Sequence, residues 1–177
     1  SLADQSLIRS EEARDEIRFR LLESIREFAW ERLDARGEAS AIRERHRDHY
    51  LALVERAAPE LSGADQRPWL ERLELEHDNI RAVLDRALDA PWPAEGIRTG
   101  FAMWRFWQKR GYLSEARRRL DAYEAAPWSR SDQALRARLC EALGGICWWV
   151  ADFATMRRWY AEAVDLWRGL GDERELA

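Results

Sequence analysis

"WRFWQKRGYLSEARRRLDAY" (residues 104–123) and "GGICWWVADFATMRRWYAEAV" (144–164) can be laid over each other with a shift of 40 residues. Trp104 then falls on Gly144, Trp107 on Cys147, Gly111 on Ala151 and Leu113 on Phe153. Further along, Ala116 meets Met156, Leu120 meets Tyr160 and Tyr123 meets Ala163. A repeat of this size implies stacked units that bury a core only against their neighbours. The first copy by itself suggests something else. Its aromatic rings stand among Arg105, Lys109, Arg110, Arg117, Arg118 and Arg119, with Glu115 as the only acid up to Leu120. Aromatics mixed with arginines suit nucleic acid. Helical spacing divides that patch. Met103, Trp104 and Trp107 fall on an inward face, with Ala116 and Leu120 closing from a second helix. Arg105 and Lys109, four apart, share a different face, and Arg117–Arg119 fan around theirs.

Working outward from the repeat, helices are predicted over 95–110, 114–126, 132–150 and 154–169. Gly111, "PWSRS", Ala151–Asp152 and "GLGD" separate or end them, and Ser114 can cap the second. Upstream, "DQRPWLERLELEHDNIRAVLDRALD" (65–89) reads as one helix with Asp65 at its N-cap, Pro68 in its first turn and "APWP" as its stop. "SAIRERHRDHYLALVERAAPEL" (40–61) carries Ile42, His46, His49, Leu53 and Ala57 on one stripe and ends near Pro59. Before it, Leu22, Ile25, Phe28, Ala29 and Leu33 repeat with helical spacing, closed by Gly37. The first residues differ. "SLIRSE" (6–11) and "EIRFRLL" (16–22) alternate around the polar turn "EARD", which is a hairpin signal. The expected fold is therefore all-α, an antiparallel helical-hairpin array over 39–177, preceded over 1–38 by a β-hairpin and one helix.

Composition agrees with a packed domain. Of the 177 residues, 46% are hydrophobic and 35% charged, too apolar for a disordered chain. Ten tryptophans imply broad packing surfaces. A net charge of −4 argues against a surface that tracks phosphates throughout. Cys140 and Cys147 are seven apart in a helical window, about 10 Å along one face, so they read as small buried hydrophobes rather than a disulfide. No leader peptide is recognisable and no apolar run approaches a membrane span, so a cytoplasmic location is expected. The chain begins at Ser1 and ends in "GDERELA", which reads as the opening of another helix. It is therefore expected to be a piece of a longer protein.

The second repeat unit resembles a tetratricopeptide repeat. Leu143–Gly144 stands where that motif wants Leu-Gly, and Tyr160 takes the aromatic place sixteen residues after Gly144. Cys140 replaces its tryptophan, Cys147 its tyrosine, Met156 its alanine and Arg168 its proline. Four blocks in order, "RFRLLESIREFAWERLDARGE" (18–38), "RERHRDHYLALVERAAPEL" (43–61), "WLERLELEHDNIRAVLDRAL" (69–88) and "WRFWQKRGYLSEARRRLD" (104–121), look like the region that follows the nucleotide-binding core in bacterial STAND-type signal-transduction ATPases. That group includes LuxR-type and AfsR-type transcriptional regulators. The resemblance implies that 1–38 closes a winged-helix module, with the hairpin as its wing, and that the rest is a sensor and scaffold arm. No phosphate-binding "GxxxxGK[ST]" occurs in the chain, so the family's ATPase chemistry does not carry over.

Candidate functional residues follow from the repeat register. In it, Glu141, Gly145, Trp148 and Trp149 share the inner face of one helix, and Phe101, Arg105, Gln108 and Lys109 the inner face of the preceding one. Adjacent Trp148 and Trp149 point about 100° apart, so they cannot both lie on one narrow core stripe. A groove lined by these aromatics and charges suits a protein or peptide partner, a small-molecule signal, or another domain of the same chain. Packing against a following repeat is the other reading for the two tryptophans. Glu74-x-x-His77 has the spacing of half a di-iron site but lacks its second copy, and His46, Asp48 and His49 complete no zinc set. No metal, cofactor or catalytic residue is assigned. The alternative function is nucleic-acid binding through Arg105, Lys109, Arg110 and Arg117–Arg119.

Overall fold

The computed structural model describes residues 8–13, 16–89, 93–126 and 132–172. A two-stranded antiparallel ribbon comes first, β1 (Ile8–Ala13) and β2 (Glu16–Leu21), with Ile8 opposite Leu21 and Ala13 opposite Glu16. Helices follow: α1 (Glu23–Ala35), α2 (Ala39–Glu60), α3 (Gln66–Leu75), α4 (His77–Asp89), α5 (Pro93–Arg110), α6 (Leu113–Ala125), α7 (Gln133–Trp149) and α8 (Phe153–Leu170). The architecture is helical. Ser6, Leu7, the second half of "EARD", most of "APWP", the whole of "PWSRS" and the last five residues lie outside the described segments.

The chain divides into two compact units, Ser1–His46 and Arg47–Ala177. The division falls inside α2 rather than at the Gly37 turn, where the sequence pattern changes. In the first unit α1 has no fully buried residue, and Phe28 of its apolar stripe is exposed. Arg43 packs its guanidinium 4.9 Å from the Trp30 ring centroid. In the second unit one continuous core runs from Leu53, Val54 and Ala57 of α2 through Leu73, Ile80 and Leu84 to Phe106, Trp107, Leu120, Leu143 and Trp159.

The 40-residue repeat is reproduced in three dimensions. α5 and α7 begin at residues 93 and 133, α6 and α8 at 113 and 153. Both hairpins turn the same way. The Tyr112 amide donates to the Trp107 carbonyl and the Asp152 amide to the Cys147 carbonyl, each at 2.9 Å. These are the long bonds of a Schellman ending, which needs a left-handed residue between helix and bond. Gly111 supplies it in the first hairpin with φ +81°, and Ala151 in the second with φ +60°. Gly37 and Gly171, also at positive φ, end α1 and α8 in the same manner, with Glu38 bonded to Leu33 and Asp172 to Trp167.

Side-chain volume is exchanged between the two copies. In the first, Gly96 of α5 faces the Tyr123 ring of α6 so closely that a Cβ would lie 2.5 Å from Cε1 and 2.6 Å from Cζ. In the second, the equivalent positions are the large Arg136 and the small Ala163.

Three local expectations are corrected. The helix expected over 65–89 is two, α3 and α4, broken at Glu76. The Glu76 carboxylate is buried and accepts from Asn79 Nδ2 (2.8 Å) and Tyr50 Oη (3.1 Å), bonds that hold the break in place. Asp65 makes no capping bond, and α6 starts at Leu113, which puts Ser114 inside its first turn. The caps that form are Asp132, bonded to the amides of Ala134 and Leu135, and Asp152, bonded to that of Thr155. No helix among the described residues is long and apolar enough to cross a membrane.

Candidate functional site

Between the end of α2 and the helices α5, α7 and α8 lies a cavity of about 550 Å³. That is within the size range of small-molecule sites. α5 contributes Phe101, Ala102, Trp104 and Arg105, and α7 contributes Glu141. Tyr160, Ala163, Val164 and Trp167 come from α8, with Ala58 and Ser62 at the end of α2. The spacing of Tyr160, Ala163 and Trp167 explains the shape. At three and four residues apart they share one face of α8, and the alanine between two aromatics leaves a hollow.

Trp104 reaches the cavity because α7 carries glycine opposite it. A Cβ at Gly145 would stand 3.1 Å from Trp104 Cζ3. Gly144 likewise makes room for Tyr160, whose Cε1 would lie 2.9 Å from an added Cβ. Gly144 and Gly145 thus shape the wall.

The polar groups are few and placed. Trp167 Nε1 donates to Glu141 Oε1 at 2.7 Å. The Arg105 guanidinium stacks on Trp104 at 4.0 Å from the ring centroid, and that of Arg138 stands 5.4 Å from the Phe101 centroid. Burial raises the Tyr160 pKa, against the pull of Arg105 and with that of Glu141. Tyr160 is therefore a neutral hydroxyl at physiological pH.

Of the residues expected in the groove, Phe101, Arg105 and Glu141 line this cavity. Gln108, Lys109, Trp148 and Trp149 do not. They lie one to two helical turns further along the same helices, towards the α5–α6 and α7–α8 turns. Trp148 and Trp149 are 55% and 51% exposed, and the Trp148 ring meets Phe153 edge-on at 5.7 Å. The expected groove lacked the lining from α2 and all of that from α8, Tyr160, Ala163, Val164 and Trp167, whose signal is their spacing of three and four residues.

The basic residues of 105–119 part company. Arg119 is buried, bonded to Asp85 of α4 and, at 2.9 Å, to Glu115. Arg81 grips the same Glu115 carboxylate with bonds of 2.9 and 2.6 Å. Burial alone would raise the Glu115 pKa, but the bonds from Arg81 and Arg119 prevail and hold it at about 2. Arg117 binds Asp121 at 2.7 Å and Arg110 lies 3.2 Å from Glu74. Arg118, Lys109 and Arg105 are exposed.

The side chains of His77 and Glu74 are both in contact with Tyr112. The His77 ring is buried between Phe106 (5.0 Å) and Tyr112 (4.7 Å), with Nε2 3.6 Å from Glu115. Burial lowers its pKa, Glu115 opposing and Arg81 assisting. Glu74 accepts from Tyr112 Oη at 2.5 Å. Among the described residues no group of three metal-ligating side chains forms. Both thiols are free and buried, and burial pushes the Cys140 thiol up to about 12.

The chain is similar to HTH-type transcriptional regulators of mycobacteria. One from Mycobacterium bovis and two from Mycobacterium tuberculosis strains are each 32% identical to it over 114 residues. The match takes in 64% of this chain and 13% of each relative's length. No family model matches the chain, and no solved structure does.

Proposed function

We propose that this chain is the signal-receiving part of a transcriptional regulator, a binding scaffold and not a catalyst. Ligand held in the cavity would favour one arrangement of the whole regulator over another and so reach an effector domain elsewhere. The observation that carries this is the aromatic-walled cavity, in which side chains from four helices converge on a few polar groups. Likeness to regulators named for a helix-turn-helix supports the setting. The finer assignments belong to the same proposal: a tetratricopeptide-like array, a ribbon and α1 that close a winged-helix module, and a STAND-type ATPase of LuxR or AfsR kind acting in the cytoplasm. The signal would be a small molecule or a peptide end that fits between α5 and α8. The apolar tip around Trp148, Trp149 and Phe153 is left for a protein partner or another domain.

A ligand-observed NMR screen of the chain against small aromatic compounds and short peptides tests this. Hits should compete with each other for one site. They should be lost in Val164→Trp, which fills the cavity, and kept in Trp148→Ala, with unchanged circular dichroism in both. Absence of any saturable binder, or hits indifferent to Val164→Trp, would remove the sensor reading. A gel-shift that finds strongly salt-dependent DNA binding would favour the arginine-rich alternative instead.

A further inference from the structure

We infer that the cavity takes a planar aromatic compound bearing one anionic group, a carboxylate in the simplest case, with Arg105 as the residue that selects the charge. The inference rests on the reading of the cavity as a ligand site and adds the class of ligand.

The walls settle the apolar half. Phe101, Trp104, Tyr160 and Trp167 come from α5 and α8, with alanines at positions 58, 102 and 163 between them. A lining of four aromatic rings with small methyl groups among them favours a flat ring over a branched aliphatic chain.

The charge is settled by what already occupies those faces. Four aromatics beside a carboxylate would by themselves suit a cation, as in the cages that hold quaternary ammonium groups. Here the cations are supplied by the protein. Arg105 covers Trp104 and Arg138 stands over Phe101, which takes up the two rings of α5. A ligand cation would meet the Arg105 guanidinium in the lining and find the α5 rings already faced by arginine. Glu141, the acid in the lining, is committed through Oε1 to the Trp167 indole. That bond points the carboxylate towards α8 and turns the indole edge into a fixed wall. Arg105 keeps the planar fork that pairs with a carboxylate, and it is held at the rim by its stack on Trp104. A flat acid can then lay its ring against Tyr160 with its carboxylate outward to Arg105.

Three isosteric probes separate the possibilities: 2-naphthoate, 2-naphthamide and 2-naphthylmethylammonium, titrated into the intact chain by calorimetry. Naphthoate should bind about tenfold more tightly than the amide, the difference expected of one charge-assisted hydrogen bond, and the ammonium should bind worst. Arg105→Gln should bring naphthoate down to the amide's affinity and leave the amide unchanged. Trp149→Ala should leave both unchanged. Equal binding of all three probes, or a preference for the ammonium, would overturn the charge assignment while the cavity stays a ligand site. If none binds and Val164→Trp changes nothing, the site reading falls with it.

Discussion

Gly96→Ala should destabilise the second unit although it replaces the poorest ordinary helix former with the best. In an open helix the exchange would gain roughly 1 kcal/mol. Gly96 is not open. A Cβ there would stand 2.5 Å from Tyr123 Cε1 and 2.6 Å from Cζ, well inside van der Waals contact. The ring has no room to withdraw, since Tyr123 is fully buried and its hydroxyl donates to the Leu84 carbonyl at 2.6 Å. Making space means parting α5 from α6, about 1–3 kcal/mol for overpacking. Otherwise the hydroxyl must leave its carbonyl, about 1–3 kcal/mol for a buried unsatisfied group. After the propensity gain a net loss of about 1 kcal/mol remains, a fall of a few degrees in melting temperature. Urea denaturation followed by circular dichroism measures it. Gly169→Ala in α8, where nothing lies within 4 Å, serves as control and should be neutral or stabilising. In a Tyr123→Leu background the cost of Gly96→Ala should largely vanish. A Gly96→Ala chain as stable as wild type, or the same cost with and without the tyrosine ring, would refute the close-contact argument.

The remaining predictions concern charge, turns and rings. Because the folded-state pKa of His77 is lowered, the unfolded chain takes up a proton near pH 6.5 that the buried ring does not. Stability should therefore fall as pH drops through that value. It should fall again below about 4.5 as the unfolded carboxylate protonates while Glu115 holds out to about 2. His77→Gln should remove the upper step alone, and Glu115→Ala should cost about 1–3 kcal/mol at neutral pH, because it leaves the buried Arg119 with Asp85 alone. Denaturant titrations across pH measure both. Ala151→Gly should be neutral or stabilising by up to about 1 kcal/mol, and Gly111→Ala destabilising by a similar amount, since both positions are left-handed; thermal melts decide the signs. Trp107→Ala, which empties a fully buried position, should cost about 3–5 kcal/mol, whereas Trp149→Ala should shift the melt little. A collapsed Trp149→Ala chain would show that this ring is part of the core.

Most helices and the faces they bury were legible in the sequence, because each depends on neighbours three, four and seven residues away; the break at Glu76 was not, because it is held by Tyr50 of another helix. The 40-residue register gave both hairpins, and Gly111 marked its joint by being glycine. Ala151 could be read only through that register, since alanine itself signals no left-handed turn. The choice of Phe101, Arg105 and Glu141 had the same source. They lie on the inward faces of α5 and α7, and helical angle is a sequence property.

How far along those helices the cavity extends was not in the sequence. Gln108, Lys109, Trp148 and Trp149 share the right faces but lie beyond its end. Its depth is set by where α2 and α8 cross the wall, with Ala58 and Ser62 at one side and Trp167 bonded to Glu141 at another. Nor could the pattern show that the arginines of 105–119 have separate fates. Arg119 looks the same as Arg118 in sequence, yet one is buried against Asp85 and Glu115 while the other faces solvent. Local periodicity fixes what a residue's neighbours are on its own helix. Which carboxylate or ring arrives from another helix depends on packing between segments more than twenty residues apart, and that only the tertiary structure decides.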